Sequence, residues 1–179
     1  MQSYWHLSAT LGLKMNKKDK IQEIPNRHVW LLADAYLESA KVLYENKSQS
    51  GKLIPVIISN VCFSIELYLK ALNSNIINEY ISENGKTIQN KEYVEVLKYG
   101  HALDRLFESL PEIYKEILKE QYLEEFENNI EDIFKKYSGL YVKVRYLFEK
   151  TFLIEKKSLP PLFKLADFMA KSLYNIKYS

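Results

Sequence analysis

The stretch from Leu53 to Leu72 reads LIPVIISNVCFSIELYLKAL, and the rest of the fold is predicted to form around it. Its side chains are apolar almost all the way round a helix, so other helices must surround it to keep it out of water. We therefore predict a central helix from Leu53 to about Leu72, with Phe63 and Leu67 buried in the core.

One narrow polar stripe crosses this helix. At about 100° per residue, Ser59, Glu66 and Lys70 fall on the same line, with Phe63 between them. Glu66 precedes Lys70 by four residues, a spacing and order that favour an ion pair within the helix. A buried carboxylate would also need a partner from another helix. The stripe is therefore the first place to look for function.

Length and composition favour a single helical domain. The 179 residues fit one domain with a sizeable core. Five Gly and five Pro are too few for the frequent tight turns of a β-sandwich or barrel. We expect an all-α fold, an antiparallel helical bundle over residues 26–179, preceded by an N-terminal arm over residues 1–25 that carries a basic run.

Charge and cysteine content bear on the partners and the cellular compartment of the protein. The formal net charge of +2 does not by itself demand a nucleic-acid partner. The single cysteine, Cys62, lies inside the apolar helix, which indicates a reducing compartment and a small buried hydrophobe rather than a reactive thiol. The N-terminus lacks the layout of a signal peptide, and the central helix carries Glu66 and Lys70. We expect a cytoplasmic protein with no membrane partner.

Amphipathic patterns predict the helices around the central one. Asn26 is a suitable N-cap for a first helix, which should lie antiparallel to the central helix. A short helix should follow Gly100 and end before Pro111, which opens a long helix reaching Tyr137. Two more are predicted: one from Leu140 to about Phe152, and one beginning at Pro160-Pro161.

The polar region after the central helix has a different pattern. Residues 79–98 are predicted to form a peripheral excursion from the bundle, with Asn84-Gly85 as a strong turn signal. Brief alternation around Tyr93, Val94 and Val96 is compatible with one arm of a short hairpin.

Conventional catalytic motifs are missing from the sequence. It contains no glycine-rich phosphate loop, no His-Glu-x-x-His motif and no paired cysteines, so we expect no metal site and no cofactor. Of three histidines, His101 is the best candidate for a catalytic imidazole. It follows a glycine at a predicted helix start, where the positive end of the helix dipole favours a neutral base. The alternative is that His101 only caps the helix or packs there.

A second candidate cluster lies in the last third of the chain. Arg145 and Glu149 are one turn apart on an otherwise apolar helix, which predicts an ion pair between them. Arg145 could instead reach inward to Glu66 on the central helix. Such a bidentate pair would fix the packing and leave a fork for phosphate, and Arg145→Ala would then leave Glu66 buried and unpaired.

These segments together resemble the HEPN family, the higher-eukaryote and prokaryote nucleotide-binding domains. The matching features, between roughly Arg27 and Glu149, are Ser64 to Leu72 (SIELYLKAL), Gly100-His101-x-Leu103, Leu110-Pro111 and Arg145-Tyr146-x-Phe148-Glu149. The resemblance implies a compact antiparallel helical bundle, usually a homodimer. It also implies a bacterial or archaeal defence or toxin–antitoxin system, in which many members cut RNA without a metal.

One feature of the family's ribonucleases is absent. Those members carry an arginine followed, after four to six residues, by a histidine, whereas Arg145 is followed in that window by Lys150, Thr151 and Phe152. What remains is a predicted groove in which Glu66, His101 and Arg145 face one another.

Three function classes follow from the sequence. The first is a HEPN-like module that binds RNA, nucleotide or a cognate protein partner, with Glu66, Lys70, Tyr146 and Glu149 as binding residues. The second is a metal-independent endoribonuclease that uses His101 as base and Arg145 as phosphate ligand. The third is a purely structural dimerisation bundle.

Overall fold

The computed structural model of the chain describes residues 16–46, 50–83, 86–146 and 159–178. These residues form a mixed α/β fold in which helices pack beside a three-stranded antiparallel sheet. The elements in chain order are β1 (Asn16–Ile21), α1 (Arg27–Glu45), α2 (Ser50–Ala71), β2 (Ser74–Glu83), β3 (Lys86–Val96), α3 (Leu103–Glu108), α4 (Glu112–Phe126), α5 (Ile130–Tyr137), α6 (Leu140–Arg145) and α7 (Leu159–Tyr178).

Helix α2 is the predicted central helix. Val61, Ile65 and Leu69 are fully buried, and α1, α3, α6 and α7 all pack against it. Leu67 is buried as predicted, whereas Phe63 is only half-buried, on the polar stripe. Among the described helices, α2 alone is long and apolar enough to cross a membrane, but 56% of that span is buried inside the protein. That burial fits the core helix of a soluble protein.

Helix α1 begins where the sequence predicts. The side-chain oxygen of Asn26 accepts hydrogen bonds from the backbone N–H groups of His28 and Val29, as an N-cap does. The backbone N–H of Asn26 also donates to the carbonyl of Ala71, at 2.8 Å. Because this bond joins the start of α1 to the end of α2, the two helices lie antiparallel, as predicted.

The expectation of an all-α fold is wrong, because part of the chain forms a sheet. Strand β2 lies in the centre and pairs with β1 on one side and β3 on the other. Strand β1 comes from the segment predicted to be an N-terminal arm, and its register places Asn16 opposite Ile81 and Ile21 opposite Ile76. Strands that are distant in sequence therefore meet around the predicted excursion.

The sheet was not predicted, because most residues of its strands are polar. The excursion begins at Ser74, five residues earlier than expected, and the hairpin extends through all of β3. One face turns Val94 toward the helical core, opposite Ile76. On the other face, the Lys18 ammonium lies 2.7 Å from the Glu79 carboxylate and holds the pKa of that carboxyl below its usual range. The predicted turn, Asn84-Gly85, lies outside the described residues.

The long helix predicted after Pro111 is in fact two helices, α4 and α5. The chain leaves α4 through Glu127 in a left-handed conformation, with φ 50°, and Asn129 then caps α5 by accepting from the backbone N–H of Glu131. The helical spacing of apolar residues continues across the break between α4 and α5, so the sequence pattern does not indicate that the helix ends there. Helix α6 follows Gly139, also left-handed with φ 73°, and the predicted continuation from residue 147 to Phe152 lies outside the described ranges.

Candidate functional site

The site is built on Glu66, the one acidic residue of α2. Its side chain is fully buried, so an ionised carboxylate there needs a partner for each oxygen. One oxygen, Oε1, accepts from the Lys70 ammonium at 2.6 Å, which is the ion pair predicted from the spacing. The other, Oε2, lies 2.9 Å from Nδ1 of His101.

His101 reaches Glu66 from a loop 35 residues further along the chain. It lies two residues before α3, whose N-cap is Ala102, and no side chain caps that helix. The alternative that His101 merely caps α3 is therefore wrong, since its side chain points across to α2. Because the imidazole is held from behind by Glu66 while 42% of the side chain stays exposed, one edge of the ring faces solvent.

The contact with Glu66 decides which nitrogen is presented to solvent. An ionised carboxylate can only accept a hydrogen bond, so Nδ1 of His101 must carry the proton in this contact. In the neutral ring Nε2 then holds the lone pair, and within the described residues it has no hydrogen-bond partner. A carboxylate that fixes the tautomer in this way leaves Nε2 as an acceptor, which is the arrangement that makes a histidine a useful general base.

An aromatic wall stands beside the imidazole. The Tyr141 ring lies 5.2 Å from the His101 ring, centroid to centroid, and stacks on Phe63 at 5.3 Å with an interplanar angle of 12°. Tyr36 makes an edge-to-face contact with Phe63, with the ring centroids 4.6 Å apart. Helices α1, α2 and α6 thus each contribute one ring, which fixes the position of Tyr141.

Arg145 lies on the same helix as Tyr141, one turn later. Its guanidinium carbon is 5.3 Å from the centre of the Tyr141 ring, and its Nη1 lies 3.5 Å from the tyrosine hydroxyl. The side chain is otherwise exposed. His101 and Arg145 therefore both lie close to one tyrosine ring.

The predicted pair between Arg145 and Glu66 is not formed. Lys70 and His101 occupy both carboxylate oxygens, and Lys70 does so from the next turn of the same helix, a shorter reach than any from α6. The expectation that Arg145→Ala would leave Glu66 unpaired is therefore wrong as well. Arg145 is therefore an exposed cation and does not form a buried ion pair with Glu66.

The remaining predicted residues are only partly brought together. Lys70 is 14% exposed and committed to Glu66. Tyr146 is the C-cap of α6 and is 45% exposed. Glu149, predicted to pair with Arg145, lies outside the described residues.

Two features of the site were not anticipated from sequence. Tyr141 was not nominated, although its spacing of four from Arg145 would have placed both on one helix face. The second is the environment of Cys62, where burial first and the Glu66 charge second raise the pKa of the thiol to about 12. A thiol with that pKa stays protonated. The predicted burial of Cys62 is confirmed, whereas the effect of the nearby Glu66 charge was not predicted.

Below, the "His101 surface" means Glu66, Lys70, His101, Tyr141 and Arg145. In the part of the chain that the structure describes, no group of three His, Cys, Asp or Glu side chains could hold a metal ion. The chain matches no protein-family model, no curated protein and no solved structure. The chemistry of the His101 surface is therefore what a functional assignment can be built on.

Proposed function

We propose that this chain is a HEPN-like module that binds RNA through the His101 surface. The observation that carries the proposal is that a partly exposed imidazole and an exposed guanidinium both lie against one tyrosine ring, with the imidazole held by a buried carboxylate. The resemblance to the HEPN family adds the setting: the cytoplasm of a bacterium or archaeon, in a defence or toxin–antitoxin system.

The groups on this surface suit a phosphate and an unpaired base. Arg145 uses one long hydrogen bond on Tyr141, so its other N–H groups can form a bidentate contact with phosphate oxygens. The Lys70 charge is balanced by Glu66, which leaves Arg145 as the net positive charge among these five side chains. An aromatic ring beside a cation is the arrangement by which proteins hold single-stranded RNA. Binding should weaken with salt.

The proposal includes a homodimer and a cognate protein partner, both from the resemblance. Large aromatic side chains are exposed in the described part of the chain, among them Tyr99 and Tyr178, and such residues are enriched at interfaces. Light scattering at micromolar concentration should give twice the mass of one chain. A monomer under those conditions would contradict this part of the proposal.

A second candidate function is metal-independent RNA cleavage, favoured by the Glu66–His101 contact. Neutral Nε2 of His101 would take the proton from a 2′-hydroxyl, whose oxygen attacks the adjacent phosphorus. Arg145 would stabilise the negative charge that builds on the phosphate oxygens. The 5′-oxygen leaves and takes a proton from solvent, giving a 2′,3′-cyclic phosphate.

A mixed RNA pool in EDTA tests both functions. We expect the wild type to retard the pool on a native gel and Arg145→Ala to weaken binding about tenfold or more, the loss of a charge-assisted hydrogen bond. The matched control is Arg105→Ala, which removes an exposed arginine from α3 and should bind like the wild type. Both variants should unfold at the same urea concentration as the wild type, because neither arginine is buried.

The fate of the RNA separates the two candidates. Cleavage by the wild type that His101→Ala abolishes would establish the nuclease. An intact but retarded pool would leave the binding module alone. If the wild type neither cuts nor retards the RNA, both proposed functions are wrong. The residues of the His101 surface would then only stabilise the fold, as in a structural dimerisation bundle.

A further inference from the structure

A groove between α4 and α7 lies apart from the His101 surface and shares no residue with it. It encloses about 430 Å³ and is lined on the α4 side by Gln121, Glu124 and Glu125 and on the α7 side by Phe168 and Lys171. Pockets of a few hundred Å³ are large enough for a small ligand or for one long side chain of a partner.

The wall of this groove contains a buried acceptor with no donor. The side-chain oxygen Oε1 of Gln121 is buried and has no hydrogen-bond partner among the residues that the structure describes. Leaving a buried polar atom unpaired is unfavourable, and such atoms in native proteins usually point to a missing partner. Because the Gln121 side chain is partly exposed, its amide can turn toward the groove, where a group that donates N–H bonds would supply that partner.

The charges of the groove select a cation. Glu125 is paired with the Lys171 ammonium at 2.8 Å, whereas Glu124 forms no ion pair among the described residues. The lining therefore carries a net charge of −1 from these three groups. A ligand that brings positive charge and N–H donors together would satisfy both Glu124 and Gln121.

The floor of the groove is rigid. Phe168 is 2% exposed, and it packs edge-on against Tyr122 at 4.9 Å and against Phe126 at 5.8 Å, centroid to centroid. A fixed apolar floor suits the methylene chain or the planar face that accompanies an alkylammonium or guanidinium group. The groove is thus formed before the ligand arrives, which lowers the cost of ordering on binding.

We propose that the α4–α7 groove binds a guanidinium or alkylammonium group, with Glu124 as its counter-ion and Gln121 as its hydrogen-bond acceptor. The group belongs either to a free small molecule or to an arginine or lysine side chain of a partner. The chemistry is opposite in sign to that of RNA phosphate, so this site does not depend on the function proposed for the His101 surface.

Isothermal titration with two probes tests the groove. Agmatine represents a free guanidinium ligand, and the peptide acetyl-Gly-Arg-Gly-amide represents a protein side chain. We expect saturable binding of at least one probe with one site per chain. Agmatine alone would support a small-molecule ligand, the peptide alone would support a protein partner, and binding of both would support the shared guanidinium chemistry.

Three variants locate the binding. Glu124→Gln and Gln121→Leu should each weaken it about tenfold or more, as expected when a charged or buried hydrogen-bond partner is lost. The matched control is Glu120→Gln, which makes the same charge change on an exposed residue of α4 outside the groove and should bind like the wild type.

Three results would contradict the proposal in whole or in part. Binding of neither probe would overturn the proposal, and so would equal weakening by Glu124→Gln and Glu120→Gln, which would indicate diffuse charge attraction. Gln121→Leu replaces an unpaired buried amide with an apolar side chain, so it should unfold at the same or a higher temperature than the wild type. If it raises the melting temperature without changing the affinity, Gln121 is only a packing defect and the proposed acceptor is wrong.

Discussion

The central helix α2 and the three-stranded sheet are held in the fold by different forces. Val61, Ile65 and Leu69 of α2 are fully buried, so removal of apolar surface from water holds this helix in place. In β3, by contrast, every side chain from Lys86 to Glu92 is exposed. The outer strands β1 and β3 depend on the backbone ladder and on cross-strand side-chain pairs such as Lys18 with Glu79, whereas the central strand β2 also buries Ile76 and Ile77.

The difference shows what a polar group does in each setting. At the exposed ion pairs of the sheet, water can hydrate both groups of a broken pair, so each pair contributes little to stability. In α2 no water can replace a partner of Glu66, so its two contacts hold the helix, the His101 loop and the site together. The same kind of interaction is a minor surface feature in one region and a structural requirement in the other.

The largest expected effect comes from removing both partners of Glu66. Lys70→Ala combined with His101→Ala leaves the carboxylate buried and unpaired and should cost about 3–5 kcal/mol of unfolding free energy. Each single substitution should cost much less, because the other partner remains. Urea unfolding of the wild type, both single variants and the double variant measures this.

The double-mutant cycle contains its own check. The cost of the double variant should exceed the sum of the two single costs, because the last partner matters most. Simple addition of two small costs would mean that water reaches Glu66, and that this residue resembles the exposed pairs of the sheet.

The next largest effect compares two isoleucines. Ile65→Ala empties fully buried space in α2 and should cost about 2–5 kcal/mol. Ile88→Ala makes the same chemical change in β3, where the side chain is 47% exposed, and should cost less than about 1 kcal/mol. Similar urea midpoints for the two variants would contradict the contrast between the regions.

A smaller effect appears at alkaline pH. Because the pKa of Cys62 is raised to about 12, the native state keeps a proton that the unfolded chain loses above pH about 9, so stability falls as pH rises between these values. Burial and the Asp34 carboxylate also raise the pKa of Tyr68, with the same sign. We expect Cys62→Ala to reduce the slope by up to about 1.4 kcal/mol per pH unit.

Urea unfolding at pH 8, 10 and 11 measures that slope. Cys62→Ala should be the less stable protein at pH 8, where only the lost packing counts, and the gap should narrow as the pH rises. Parallel curves would show that the thiol ionises equally in the native and unfolded states, as an exposed cysteine does.

The contrast also explains which parts of the fold could be predicted. Helices α1, α2 and α7 follow from apolar periodicity because they bury one face or all of their surface. The sequence of strand β1, NKKDKI, predicts a basic arm rather than a strand, because its pairing with β2 is made by backbone groups and leaves no pattern in the side chains. The break at Glu127 was likewise hidden, because a left-handed residue other than glycine or asparagine gives no warning.

The site was predictable to a similar degree. Glu66, Lys70 and His101 were nominated from spacing and helix position, and they meet. The predicted pairing of Arg145 with Glu66 is wrong. The sequence alone does not show which of several basic side chains binds a buried carboxylate, and here Lys70 and His101 do. Tyr141 was not predicted, because its contacts with His101 and Phe63 join three segments that are distant in sequence. A local sequence pattern does not indicate such contacts.

The most direct test of the central claim is the tautomer of His101. Long-range proton–nitrogen NMR spectra at alkaline pH, where a free imidazole is neutral, distinguish the two ring nitrogens. The Glu66 contact predicts a protonated Nδ1 and an unprotonated Nε2, with that preference lost in Glu66→Leu. A protonated Nε2 in the wild type would contradict the account, because the nitrogen offered to RNA would then have no lone pair.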